Sequence, residues 1–429
     1  MEKLKGIIKN NFLKNVLLVA GGTALAQIIS TISSPIITRL YSPEEYGNLT
    51  LYSSIISIVS VVGALKYEST IAIAEDDDIS INMLIASSFI LILNTIILAI
   101  IFWGWGDFIL DIFNAKQLYK FKMLIPIGML LIGLYNVVSQ FAYRTKDFKT
   151  LSKTKLNQSI FQNIISIVGG ILNFGTIGLI VSRIIGQSAG VGSIIKPILK
   201  KKDILFKDIS LNKMIWGMKR YIKFPIFSAP SQLLNIGGIQ LPIIFLTAFF
   251  GTGVTGLFGL ANSMVNLPFN LIGNAIGDVY YSEAANIGKN NPSELKRLSE
   301  MLFKKLVIIG IIPTIVVLLL GPSLFKIVFG NEWVEAGVYA RLLIILVFSR
   351  FIFMPISRVY EIYERQKEAF ILDFIRISLV AMIFLMAKKF GLSSYLTIFL
   401  YSIAMSLVYL NTYLLSQKII NYEIKRRLL

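Results

Sequence analysis

The segment SINMLIASSFILILNTIILAIIFWG, Ser80 to Gly104, runs for 25 residues without one ionisable side chain. At roughly 1.5 Å of rise per residue such a helix covers the ~30 Å hydrocarbon core of a bilayer. Its apolar residues are continuous rather than alternating, which excludes a barrel strand. Reading outward from it in both directions gives twelve spans, at 14–38, 47–74, 80–104, 121–143, 156–174, 177–196, 224–250, 253–280, 305–329, 336–358, 368–387 and 392–416. Turn residues, Asn173-Phe174-Gly175 and Gly251-Thr252-Gly253, divide the two pairs that are nearly fused. The expected fold class is an all-α polytopic membrane protein.

Composition agrees. A mean hydropathy of +0.71 and 55% hydrophobic residues exclude an ordinary soluble enzyme. The net charge of +18 sits in juxtamembrane segments rather than on one soluble domain, so the partners are membrane lipid and not nucleic acid. With the N-terminus in the cytoplasm, 30 of the 42 Lys and Arg fall on the cytoplasmic side, seven outside and five within spans. That asymmetry is the positive-inside pattern and puts both termini in the cytoplasm. Glu75-Asp76-Asp77-Asp78 is the one discordant inner loop. The chain has no Cys and no His, which removes disulfides, thiol and imidazole catalysis, and Cys/His metal sites. No cofactor is expected, no Walker A pattern occurs, and proton coupling would have to use carboxylates. Four Lys precede a first span too long for a signal peptide, so a retained helix is expected.

The longest loop, about Lys200 to Lys223, alternates apolar and basic residues and reads as an amphipathic helix on the inner leaflet. It divides the chain into an N-terminal lobe (1–199, spans 1–6), a linker (200–223), a C-terminal lobe (224–417, spans 7–12) and a basic tail (418–429). Pro35-Ile36-Ile37 with Tyr46-Gly47 and Pro242-Ile243-Ile244 with Thr255-Gly256 suggest a weak repeat, offset by 207 and 209 residues. Six spans per half would make it a parallel repeat with a substrate site between the halves.

Polar residues inside spans are the candidate site. Asn262, Asn266, Asn270, Asn274 and Asp278 recur every four residues in span 8, with Pro268 in the middle. Each step drifts about 40° from the helical period, so the ladder winds around the helix. Two readings apply: interhelical hydrogen bonding, or the lining of a polar cavity. Ser53, Ser57, Ser60, Ala64 and Glu68 share one face of span 2 on a helical wheel, as a packing surface or a second cavity wall. The five internal cations are Lys66, Arg183, Arg341, Arg350 and Arg376. Lys66 is placed to snorkel and Arg376 to pair with Asp373. Arg183 and Arg350 have the least other explanation. Guanidinium groups suit phosphate or carboxylate, so an anionic substrate is expected. Two literal motifs are discounted: Gly251 to Gly256 matches G-x-G-x-x-G without a preceding strand, and the sequons at Asn48 and Asn157 abut spans.

The stretch Pro35-Ile36-Ile37-Thr38-Arg39-Leu40-Tyr41-Ser42-Pro43-Glu44-Glu45-Tyr46-Gly47, followed by Leu65-Lys66-Tyr67-Glu68-Ser69-Thr70-Ile71-Ala72-Ile73-Ala74-Glu75-Asp76, resembles the N-terminal signature of bacterial polysaccharide-repeat flippases of the Wzx type. These belong to the multidrug/oligosaccharidyl-lipid/polysaccharide exporter superfamily. The resemblance implies twelve transmembrane helices in two six-helix lobes around a V-shaped central cavity in the bacterial cytoplasmic (inner) membrane. It implies an undecaprenyl-pyrophosphate-linked oligosaccharide as cargo, flipped from the inner to the outer leaflet by alternating access. Arg183, Arg350, Arg341, Lys66 and Arg39 would then meet pyrophosphate or acidic sugars, and Asn262, Asn266, Asn270 and Asn274 sugar hydroxyls. Glu68 and Asp278 are the candidate carriers of a coupling H⁺ or Na⁺. Polysaccharide polymerase and chain-length proteins are candidate partners, and no catalytic or metal-ligating set is expected. The alternatives are a multidrug/cation antiporter of the same fold, a lipid II flippase and, more distantly, a membrane glycosyltransferase or polymerase.

Overall fold

The structure, a computed structural model, describes residues 2–200, 209–288 and 290–428, without the side chains of 2–17, 19, 200, 274, 275, 278, 288 and 428. The helices are α1 (Glu2–Leu40), α2 (Pro43–Gly63), α3 (Thr70–Ile73), α4 (Asp77–Ile112), α5 (Leu124–Arg144), α6 (Phe148–Ile171), α7 (Thr176–Ser188), α8 (Val191–Lys200), α9 (Leu211–Arg220), α10 (Ala229–Gly288), α11 (Pro292–Phe329), α12 (Val334–Phe353), α13 (Val359–Ile362), α14 (Gln366–Phe390) and α15 (Ser394–Leu428). No strand occurs among the described residues. Ten segments there are long and apolar enough to cross a membrane. Twelve spans were expected, and two local facts account for the difference. Span 5 becomes α6, where Asn157, Gln158, Gln162 and Asn163, with the lysines that begin the helix, lower the hydropathy. Spans 7 and 8 share one α10, broken only at Gly251 (φ 86°, ψ 173°), a backbone setting that glycine reaches without strain. The chain forms two compact units, Met1–Thr252 and Gly253–Leu429.

In the first unit, α2 has explicit stops at both ends. Ser42 is its N-cap, with Pro43 at the first helical position. The Ser42 N–H donates to Glu45 Oε2 at 2.9 Å and the Glu45 N–H to Ser42 Oγ at 3.3 Å, a reciprocal capping box. The helix ends at Gly63 because Leu65 (φ 52°) and Lys66 (φ 64°) are both left-handed. Non-glycine residues occupy that region at a cost of roughly 1–2 kcal/mol each, so surrounding contacts must hold the corner. Tyr67, 3% exposed, supplies one: its hydroxyl donates to Met218 O at 3.1 Å. The span 2 wheel is corrected here. Glu68 lies beyond the corner and does not continue the face of Ser53, Ser57, Ser60 and Ala64.

α6 lies along α1 through polar contacts as well as the apolar packing of Ile37 and Leu40 with Ile167. Ser159 Oγ donates to Ala26 O at 2.7 Å, Ser152 Oγ to Leu18 O at 2.8 Å, and Ser30 and Ser159 share a bond of 2.9 Å. The sequon at Asn157 is thus a helix contact. Tyr41 Oη donates to Ser166 O at 2.8 Å, and Gly178 leaves room for it, since a Cβ there would stand 2.8 Å from the hydroxyl. In the second unit Gly321 and Gly337 let α11 and α12 meet backbone to backbone; a Cβ on Gly337 would come within 2.5 Å of Pro322 Cα.

The acidic run has a structural use. Asp76 caps α4, accepting from Ile79 N at 2.7 Å. Arg144 reaches Asp77 at 2.8 Å, Lys213 reaches Asp78 at 3.1 Å and Arg220 reaches Glu75 at 3.2 Å. The last two belong to α9, so the run clamps the linker helix to the corner that Tyr67 also holds. On the other face of α9, Leu211, Ile215 and Trp216 are exposed. The linker residues 201–208, including Leu205 and Phe206, lie outside the described residues. Arg144 differs from the two α9 cations: its side chain is 15% exposed and also donates to Ala74 O at 2.8 Å. Arg144→Ala should therefore lower stability by about 2 kcal/mol, the scale of a buried charged hydrogen bond. Lys213→Ala or Arg220→Ala should lower it by less than ~1 kcal/mol. Thermal unfolding in detergent measures both, and equal losses would contradict this ranking.

Candidate functional site

In the second unit Arg350, near the end of α12, extends toward α10. Its Nη2 donates to Asn266 Oδ1 at 2.8 Å and to Asn270 Oδ1 at 2.7 Å. Asn266 Nδ2 in turn donates to Asn262 Oδ1 at 2.7 Å. Three rungs of the ladder and one guanidinium thus form a single chain of hydrogen bonds in which every partner of the cation is neutral. Among the described residues Arg350 has no carboxylate partner. The side chains of Asn274 and Asp278 lie outside the described residues.

Beside this chain is a cavity of about 300 Å³. Asn270, Gly273 and Gly277 of α10 form one wall; Arg350, Arg358 and Glu361 stand opposite. The sequence places Arg358 with the cytoplasmic loop, because α12 reads as regular to that point. Instead α12 ends at Phe353 and a 3₁₀ turn, Met354–Arg358, follows. Pro355 was the available signal for that break.

The other internal cations are placed separately. Arg341, on α12, donates from Nη2 to Leu319 O at 2.6 Å in the turn that Pro322 interrupts, and its Nε is buried without a partner. Arg376 pairs with Asp373 at 3.1 Å. In the first unit Arg183 points from α7 toward Tyr46 and Tyr52 of α2. With the Gln187 amide turned to accept, its oxygen takes bonds from Arg183 Nη2 at 2.8 Å and Nε at 3.1 Å. Arg39 is exposed at the end of α1. Lys66 Nζ stands 3.8 Å from Glu68 Oε1. Among the described residues no cluster suited to a metal ion occurs.

A family profile described as "Polysaccharide biosynthesis protein" matches residues 36–338. The chain belongs to the polysaccharide biosynthesis protein family. A curated relative, the teichuronic acid biosynthesis protein TuaB of Bacillus subtilis (strain 168), is 22% identical over 311 residues, 70% of this chain. That match spans 61% of the relative's own length. Among solved structures, an inward-facing multidrug resistance MATE family transporter of the MOP superfamily superposes with a TM-score of 0.76 at 15% identity, covering 93% of this chain and 96% of that one. The lipid II flippase MurJ, inward closed, gives 0.73 at 17%, covering 95% and 87%. Identities this low establish the fold: this polysaccharide biosynthesis protein has the all-α polytopic architecture of the MOP superfamily, and it is a multi-pass membrane protein.

Within the profile match, the Lys66-Tyr67-Glu68 triplet of this polysaccharide biosynthesis protein forms the left-handed corner after α2. The Glu68 side chain is 14% exposed and its Oε2 is buried without a partner. Burial pushes the carboxyl above the ordinary 4.5, against the opposing pull of a backbone bond and of Lys66. A carboxyl raised in the folded state stabilises fully below its unfolded value, and that contribution is lost as pH climbs through the folded value. The melting temperature of Glu68→Gln should therefore rise relative to the native protein as pH climbs above the ordinary 4.5 and through the raised folded value. A difference that does not change with pH would show that the carboxyl is solvated.

Proposed function

We propose that this protein flips undecaprenyl-pyrophosphate-linked oligosaccharide repeat units from the inner to the outer leaflet of the bacterial cytoplasmic membrane by alternating access. The observation that carries this reading is Arg350, a guanidinium within a membrane-spanning helix whose partners among the described residues are the Asn266 and Asn270 amides. A carboxylate partner would neutralise it. Amides leave its charge available, and an incoming phosphate oxygen replaces them at little electrostatic cost. Asn262, Asn266 and Asn270 then offer amides to sugar hydroxyls. Family membership and a relative named for teichuronic acid biosynthesis support a polysaccharide precursor as cargo. A multidrug antiporter with cationic cargo fits the internal Arg residues poorly.

Twelve crossings follow when α10 counts twice across Gly251 and α6 counts as a polar span. With the positive-inside distribution, both termini are then cytoplasmic. Coupling to H⁺ or Na⁺ falls to Glu68 or Asp278, and polysaccharide polymerase and chain-length proteins are the expected partners.

In a strain whose own gene is deleted, Arg350→Ala should lower surface polysaccharide about 10–100-fold, the scale of one lost charged contact of about 1.5–3 kcal/mol. Lipid-linked oligosaccharide should accumulate on the inner leaflet while the protein's membrane level is unchanged. Native export from this variant would remove the reading. For coupling, Glu68→Gln and Asp278→Asn should be compared under an imposed proton or sodium gradient. The carrier is the residue whose loss makes export insensitive to the gradient, and retained sensitivity in both excludes both.

A further inference from the structure

The cavity beside Arg350 holds a second guanidinium and a carboxylate that the flippase reading does not use. Arg358 Nη1 lies 2.7 Å from Glu361 Oε1, and its guanidinium rests 5.5 Å from the Tyr281 ring centre on α10. The pair is half-exposed, at 45% and 50% of each side chain, so it is open to exchange. On α10, Gly273 and Gly277 line the same cavity and let the helix approach Phe351 and Pro355 closely. A Cβ on Gly273 would stand 3.2 Å from the Phe351 ring, and one on Gly277 would stand 3.8 Å from Pro355. Two arginines and one carboxylate therefore face a space of about 300 Å³, with one cation held by amides and the other by an internal anion.

A second cavity of about 210 Å³ lies behind, and Glu361, Met354 and Ser357 line both. It contains Arg376, whose Nε is buried without a partner and whose Nη2 is 3.1 Å from Asp373. A carboxylate released from Arg358 thus has another guanidinium to face.

We infer that Arg350 and Arg358 together bind a phosphorylated headgroup, with Glu361 as the resident counter-anion that the phosphate displaces from Arg358. This rests on the reading that Arg350 meets an anionic cargo. Glu361 lowers affinity by competing for the same guanidinium, and it returns to Arg358 when the headgroup leaves. Ligands with two phosphates engage both arginines, and ligands with one engage either.

The test titrates the purified full-length chain in neutral detergent with inorganic pyrophosphate, inorganic phosphate and phosphatidylglycerol micelles, by calorimetry. Pyrophosphate should bind more tightly than phosphate. Glu361→Gln should tighten pyrophosphate binding about tenfold, and Arg358→Gln and Arg350→Gln should each weaken it about tenfold, on the scale of one charged contact each. If Arg350→Gln weakens binding while the Arg358 and Glu361 variants bind like the native chain, the two-arginine site is wrong and the flippase reading stands. If Arg350→Gln also binds like the native chain, the flippase reading loses its support. Phosphatidylglycerol that competes as strongly as pyrophosphate, with the same variant pattern, would make this a bulk-lipid headgroup site and overturn the cargo assignment. Should Arg358→Gln fail to fold, Glu361→Gln decides alone, because a purely structural pair predicts no tightening.

Discussion

A polar group at membrane depth has no water to turn to, and the packing of this chain follows from that constraint. Three tyrosines, one within α2 and two at its ends, show the general solution. The Tyr41, Tyr52 and Tyr67 hydroxyls each donate to a carbonyl of another helix, at Ser166, Leu124 and Met218, and so pin helix to helix. α6 solves the same problem with serine and asparagine, which add polar bonds to its apolar packing on α1. The arginines are the costly case, and the chain treats them unequally. Arg376 is matched by a carboxylate, Arg341 by a carbonyl, and Arg350 by two amides. An ion pair cancels a charge, whereas amides solvate it and leave its field intact. The difference in partner separates a structural arginine from one that can receive an anion.

Most of the fold was legible because hydrophobic run length is a property of single segments. The stretch from Ser80 to Gly104 needs no neighbour to be read as a span, and Gly175 and Gly251 announced their breaks through residue type. The misreadings share a cause. Gly63 is the one local signal for the end of α2, and the apolar run that continues beyond it masks it, while Leu65 and Lys66 themselves carry no glycine or proline signal. Their left-handed conformations depend on contacts made by Tyr67 with a helix 151 residues away in sequence. The wheel that joined Glu68 to Ser53, Ser57, Ser60 and Ala64 failed for that reason. The acidic run stood against the charge pattern because its cations come from α5 and α9, remote in sequence. Of the site, the ladder and Arg350 were visible separately, but that an asparagine chain holds this arginine is a tertiary fact. Arg358 stands at the end of the span read from the sequence, and the 3₁₀ turn Met354–Arg358 brings it into the lining of the cavity beside Arg350.

The two halves of the family signature take on a shared meaning in the structure. Ser42-Pro43-Glu44-Glu45 begins α2 with a capping box, and Lys66-Tyr67-Glu68 belongs to the corner that ends it. What reads as a motif for recognition is, physically, a pair of brackets around one helix. α4, α11 and α15, at 36, 38 and 35 residues, overrun a bilayer whatever their caps.

Those brackets make α2 a ruler. Its 21 residues span roughly 31 Å, close to the hydrocarbon thickness, and neither end can fray or extend to absorb a difference. The longer helices accommodate a thicker membrane by tilting or by drawing in another turn. α2 must instead tilt as a unit or deform the lipid around it, at a cost of a fraction of a kcal/mol per Å of mismatch. Lipid chain length is therefore felt first at α2, and through Tyr67 it reaches the clamped linker helix α9.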